Sequence, residues 1–294
     1  MTLAFAASQV VGVGCSPAPA TSNGTPTGAT GPGYDGDPAA AAVLQSMAAA
    51  YRDATSYFDN AEYRESFIRQ GEDVLVEPPA HQVTVAFERP NRVRLLRRVP
   101  EGGSPGLAVS VATDGQRLVA TVSDLPDQVL DLPAPESLTP RTIAPDPALY
   151  GSLFPVPMEN LFPQLDLLLA TEDSPPALFA SAEPTLLPTR ELDGVDCSRV
   201  ALKRPSGEYV LWIDAENHLL RRMEAPTDEV RRQLDPRGVM LEWRLWIDFQ
   251  DATLGGTMAD SVFQITPADG AQRVERFQAS NDQKINDSSS VQKP

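Results

Sequence analysis

Cysteine and histidine are nearly missing from this chain, two of each in 294 residues. Cys15 and Cys197 are too few for a disulfide framework. With no C-x-x-C pair, neither a thioredoxin-like redox centre nor a zinc site finds its ligands in the sequence. Cys197, in Asp-Cys-Ser-Arg-Val at the start of an apparent strand, is expected to be a small buried hydrophobe. His81 on a strand and His218 at a turn each lack a second ligand at metal spacing, so no metal and no cofactor is expected. A phosphate-cradling glycine loop and a dinucleotide fingerprint are also missing. Gly102-Gly103-Ser104-Pro105-Gly106 matches the hydrolase G-x-S-x-G pattern only in letters. Pro105 has no N–H to give an oxyanion hole, and a strand rather than a helix follows. Carboxylates are plentiful, yet no spacing singles out a pair as acid and base. The chain is expected not to be an enzyme.

Basic charge is also scarce, with 24 Lys and Arg against 40 Asp and Glu and a formal net charge of −16. Such a chain repels a polyanion at long range, which argues against a nucleic-acid partner. The local arginine groups, Arg89, Arg92, Arg94, Arg97 and Arg98 and then Arg221, Arg222, Arg231 and Arg232, read as solvated faces or, alternatively, as contacts to an anionic ligand.

Long apolar runs are absent outside the first fourteen residues, and that run is too short for an ordinary membrane helix. It reads as an export signal over residues 1–15. It ends in Val11-Gly12-Val13-Gly14-Cys15-Ser16, which resembles a bacterial lipobox in which Cys15 would carry the lipid. No Lys or Arg precedes the run, and Gly12 stands where the pattern usually has Leu; simple cleavage is the alternative. Residues 16–38, rich in Pro, Gly, Ser, Thr and Ala, cannot bury enough apolar surface to offset ordering entropy and read as a tether. Residues 39–279 form the expected domain, and the polar stretch 280–294 reads as a disordered tail.

Within the domain, Val43, Leu44, Met47 and Tyr51 share one stripe of a helix over 39–53. A one-sided strand over 56–67 follows, then alternating strands over 81–87, 92–97, 107–112 and 116–122, with Asp114-Gly115 as a hairpin turn. Residues 124–189 are interrupted by prolines and predict broken helices over 158–170 and 175–182, lying across a face of the sheet. Strands resume over 195–203. Residues 207–224 then form a hairpin in which Tyr209, Leu211 and Ile213 share one face and Val210 and Trp212 the other, with Leu219, Arg221 and Met223 alternating on the return. Both faces being apolar, a packing layer is expected on each side. Leu241, Trp243, Leu245, Ile247 and Phe249 alternate along the next strand, with Trp246 an outward exception. Residues 262–265 and 273–277 are expected to add short final strands.

One N-terminal helix, a long antiparallel sheet and Pro-broken helices inserted mid-chain resemble the LolA, LolB and RseB lipoprotein-carrier fold. The stretches Pro163 to Leu169, Glu191 to Cys197, Tyr209 to Asp214 and Leu219 to Arg222 also resemble a LolA-like group of bacterial proteins found notably in planctomycetes. The resemblance implies an α+β fold, a strongly curved antiparallel half-barrel with helices over its concave face. It also implies an extracytoplasmic, periplasmic protein that binds lipid or lipoprotein acyl chains, here anchored to the membrane through an N-terminal lipid. The groove would be lined by Val83, Val85, Phe87, Leu211, Ile213, Trp243, Leu245, Ile247 and Phe249 from the sheet and by Leu161, Leu165 and Leu168 from the lid. The same residues equally fit a filled core. The alternatives are an RseB-type interaction or sensory module with a periplasmic protein partner, and an anchoring module for a thioredoxin-like partner.

Overall fold

Residues Ser56–Arg69 run as one long strand, β1, and the sheet is laid down on both of its sides. The computed structural model describes residues 36–100, 106–154, 162–228, 231–232 and 235–278. The expected export signal, Cys15, most of the tether, the tail, Leu161 and nearly all of the G-x-S-x-G stretch lie outside them.

Before β1 comes the helix α1 (Pro38–Asp53), which starts inside the expected tether because Asp37 caps it, accepting from the Ala39 N–H at 2.9 Å, and Pro38 supplies a pre-set first turn. Ala40, Leu44, Met47 and Tyr51 make its buried stripe. After β1 come the short β2 (Leu75–Val76) and a meander of β3 (His81–Glu88), β4 (Arg92–Arg98), β5 (Ala108–Thr113), β6 (Arg117–Val122) and β7 (Gln128–Pro133). The β5–β6 turn forms as expected. Asp114 Oδ1 accepts from the N–H groups of Gln116 and Arg117, both at 2.8 Å, and Gly115 takes a φ of +92°.

From β7 the chain crosses to the opposite edge of the sheet through α2 (Pro140–Ile143), α3 (Pro147–Leu153), α4 (Pro163–Leu169) and a 3-10 turn at Ala177–Phe179. It then returns as a second meander: β8 (Glu183–Leu192), β9 (Val195–Arg204), β10 (Gly207–Asp214), β11 (Leu220–Ala225) and β12 (Met240–Phe249). The last of these pairs with the free side of β1, so the two meanders meet on one strand. The short β13 (Thr253–Leu254) also pairs with β1, and β14 (Gln272–Val274) runs parallel to β7 at the far edge. Every other described pairing is antiparallel, giving one large open sheet with few helices.

Several expectations are corrected. Residues 128–133 are a strand, and β8 begins within the expected helical region. The helix expected over 158–170 is described only from Pro163, and that over 175–182 shrinks to the 3-10 turn. Residues 262–265 add no strand. Asp260–Phe263 is a 3-10 turn docked on β4, where the Arg92 guanidinium lies 4.3 Å from the Phe263 ring centre and Arg94 donates to the Val262 and Gln264 carbonyls. The hairpin of β10 and β11 has a bulge, so Leu220 rather than Leu219 faces Ile213 while Arg221 turns back to Asp214 at 2.8 Å. Trp212 is covered not by a second apolar layer but by guanidinium groups, with Arg199 at 4.3 Å and Arg222 at 5.9 Å from its ring centre.

Candidate functional site

The strand registers build one continuous apolar face. Tyr57 of β1 pairs with Phe87 of β3, Asp59 with Val85 and Ala61 with Val83. The same rows continue through Val93 and Leu95 on β4, Val111 on β5 and Ala120 on β6. On the other side of β1, Ala61 pairs with Phe249 and Tyr63 with Ile247, and Ile247 then pairs with Met223, Met223 with Leu211, and Leu211 with Val200. Because side chains alternate along every strand, these registers put the sheet residues named from the sequence on one face.

All the nominated residues that are described fall in one buried cluster: Val83, Val85, Phe87, Leu165, Leu168, Leu211, Ile213, Trp243, Leu245, Ile247 and Phe249. Their fractional exposures run from 0% to 7%, so the sheet and the helices above it are in contact at these positions. α1 and α4 lie against each other, and α1 reaches β8 and β9 while α2 and α3 reach β5.

The polar ties between the helices and the sheet are few and specific. The Gln164 amide of α4 donates to Asp59 Oδ2 at 3.4 Å, leaving Asp59 Oδ1 and Gln164 Oε1 without partners. Burial, followed by repulsion from Asp251, pushes the Asp59 carboxyl up to about 8. The Tyr51 hydroxyl of α1 accepts from the Leu220 N–H at 3.2 Å. Arg97, buried on the same face of β4, donates to the Ser152 carbonyl of α3 at 2.6 Å. Beside it His81, whose ring stacks 5.8 Å from Tyr63, is held below its usual range by burial and then by Arg97. His81 is therefore a half-buried neighbour of the core, a placement the single-letter pattern gave no means of seeing. Cys197 is buried as expected, and His218 sits at the β10–β11 turn with a φ of +58°. Among the described residues no group of three His, Cys, Asp or Glu is placed to hold a metal, and no helix is long and apolar enough to cross a membrane.

A second feature was not anticipated. A cleft of about 770 Å³ opens where the C-terminal end of β1 meets β2 and the start of β12. Ile68, Leu75, Trp243 and Trp246 give it apolar walls. Five carboxylates, Glu77, Glu208, Glu224, Asp228 and Glu242, line it against two guanidinium groups, Arg222 and Arg244. The even apolar spacing of β12 hid this end of the strand. The register slips between Ser66 and Ile68, Glu242 takes a φ of +48°, and Leu241 leaves the face shared by Trp243 and Leu245 to stand 42% exposed.

No family model matches this chain, and no curated protein matches it. Among solved structures it is similar to MucB, at 16% identity and a TM-score of 0.41, over 81% of this chain and 66% of that one. It therefore spans just under two thirds of the MucB chain. It is also similar to a LolA superfamily protein from Nitrosomonas europaea, at 13% identity and a TM-score of 0.29, over 77% of this chain and 97% of that one. A third likeness is to the Mycobacterium tuberculosis lipoprotein LppX, at 12% identity and a TM-score of 0.37, over 74% and 96%. One of these three is of the LolA superfamily, the group the sequence resembles.

Proposed function

We propose that this chain is an extracytoplasmic, non-enzymatic binding protein, tethered through Cys15, that takes acyl chains of a lipid or lipoprotein between its sheet and its helices. The observation that carries the proposal is the nature of the covering layer. α2, α3 and α4 have four, seven and seven residues. Helices this short have little stability of their own and depend on the surface beneath them. Here that surface is apolar apart from Asp59 and Arg97, and the polar ties to it are those named above together with Arg89, which follows β3 and donates to the Leu168 carbonyl of α4 at 2.8 Å. An acyl chain offers the sheet the same methylene contacts that Leu165 and Leu168 now make, worth ~0.8 kcal/mol for each buried CH2, so lid and ligand can exchange at small net cost. An RseB-type interaction module is a second reading, favoured by the apolar end of the sheet.

The test uses the full chain with Cys15→Ser, purified without detergent. Native mass spectrometry is expected to show a discrete removable lipid mass, or uptake of added fatty acid. With Cys197→Ser as well, Asp59→Cys and Gln164→Cys joined by a bis-methanethiosulfonate linker, which spans the gap left by the two shortened side chains, would tie α4 to β1. Cross-linking of that pair is expected to block uptake and reduction of the linker's disulfides to restore it. A clean apo mass with no uptake by the reduced protein would sink the proposal.

A further inference from the structure

We infer that the cleft at the end of the sheet is a docking site for a basic amphipathic peptide segment of a partner protein. The inference concerns the open cleft at the end of the sheet, whose wall includes Trp243 and Leu245 of the interior face, and does not depend on lipid in that interior. Large apolar side chains surface in few places among the described residues: Val74, Leu75, Leu186, Val239 and Leu241. Four of these five gather at one spot. Ile68 pairs with Leu75 on one side and Leu241 on the other, Val74 adjoins Leu75, and the Val239 carbonyl accepts from the Gln70 N–H at 2.7 Å. Exposed apolar groups concentrated beside a cleft and rimmed by charge mark an interaction site.

Charge selects the occupant. Of the two guanidinium groups in the cleft, Arg222 is already paired with Asp248, whereas Glu77, Glu208 and Glu242 make no ion pair among the described residues. Lysine or arginine side chains would complete those carboxylates, and apolar side chains alternating with them would cover Leu75, Leu241 and the walls of the cleft. A second copy of this chain would bring the same acidic rim against itself. An anionic lipid surface would be repelled by the rim and by a net charge of −16.

The experiment measures fluorescence anisotropy of a labelled short peptide of alternating lysine and leucine with the full Cys15→Ser chain. Saturable binding that weakens as salt rises is expected, with none for the glutamate–leucine counterpart. Glu77→Gln with Glu208→Gln and Glu242→Gln should weaken binding about tenfold or more, a change of ~1.4 kcal/mol or more. Leu75→Ser with Leu241→Ser should do the same without shifting the melting temperature, since both side chains are exposed. Neutralising distant carboxylates by Asp124→Asn, Asp127→Asn and Glu136→Gln should leave affinity unchanged. Equal loss from the distant set, or no loss from the cleft variants, would overturn the inference. So would self-association in sedimentation, or binding to phosphatidylglycerol vesicles, that the Leu75→Ser, Leu241→Ser variant abolishes. Acyl-chain uptake measured on the same variants should be unchanged, which keeps the fate of this surface separate from that of the interior.

Discussion

Asp59 is the residue whose chemistry is most at odds with its place. It is fully buried on the apolar face of β1, where an uncharged amide, that of Gln164, donates to it at 3.4 Å. Desolvation and then Asp251 raise its pKa to about 8, with Tyr57 and Arg221 pulling the other way. The unfolded chain ionises near ~3.9. Between those values the folded protein binds the extra proton, so the stabilisation is complete below about pH 4 and is lost as pH rises through about 8. The loss is on the order of a few kcal/mol. His81 acts oppositely, since a lowered folded pKa costs stability as pH falls. The difference between wild type and Asp59→Asn therefore isolates the carboxyl. Melting followed by circular dichroism should show similar stability near pH 4 and a variant that is increasingly the more stable of the two from there to pH 8.5. Parallel pH curves would show that Asp59 is ionised in the folded state. Asp214 shows the contrast. Burial opposes its ionisation, but the Asn217 N–H, the Arg221 guanidinium and the Glu216 N–H outweigh burial and hold it below the usual carboxylate range.

At the scale of elements, the helical layer is fastened at one point more than any other. Arg89 donates to the Arg52 carbonyl at 2.7 Å, the Ala54 carbonyl at 2.9 Å and the Leu168 carbonyl at 2.8 Å. It thereby satisfies the C-terminal carbonyls of α1 and α4 together, where a positive charge also meets the favourable end of each helix dipole. Arg89→Ala should cost ~2–4 kcal/mol in urea unfolding and speed amide exchange most in α4. Arg89→Lys, whose donors sit on one nitrogen and cannot span acceptors reached from both Nε and Nη2, should recover part of this. Unchanged exchange in α4 would show that apolar contact alone positions the helix. Of α2, α3 and α4 the sequence located only α4 and placed no helix at α2 or α3, because prolines at positions 140, 147 and 163 look like breakers and are in fact first-turn residues, two of them behind the caps Thr139 and Asp146. Strands with strict alternation, such as β3 and β12, were legible from period alone. The bulges at Glu242 and Arg221 were not, since a one-residue slip leaves composition unchanged while turning Leu241 outward.

At the scale of the whole molecule, the arrangement of meanders makes β1, among the described residues, the only strand that both halves share through long ladders. The local pattern announced two runs of strands separated by helices. It could not announce that the second run starts at the far edge and closes on β1, because that depends on where the crossover through α2, α3 and α4 delivers the chain. The apolar set named for the site was legible for the same reason the strands were, since one face of each strand had to be buried. Whether that face opens to a ligand depends on the energy of the lid, which no alternation pattern encodes. The shared strand has a measurable consequence. All three tryptophans, Trp212, Trp243 and Trp246, lie in the second meander, whereas Leu95 is fully buried in the first, on β4. Leu95→Ala should cost ~2–4 kcal/mol through lost burial and the cavity left behind. If β1 couples the halves, tryptophan fluorescence and circular dichroism will move to the same lower denaturant midpoint, although no fluorophore lies near the substitution. A fluorescence midpoint that stays at the wild-type value while circular dichroism splits into two steps would mean that each meander folds on its own side of β1.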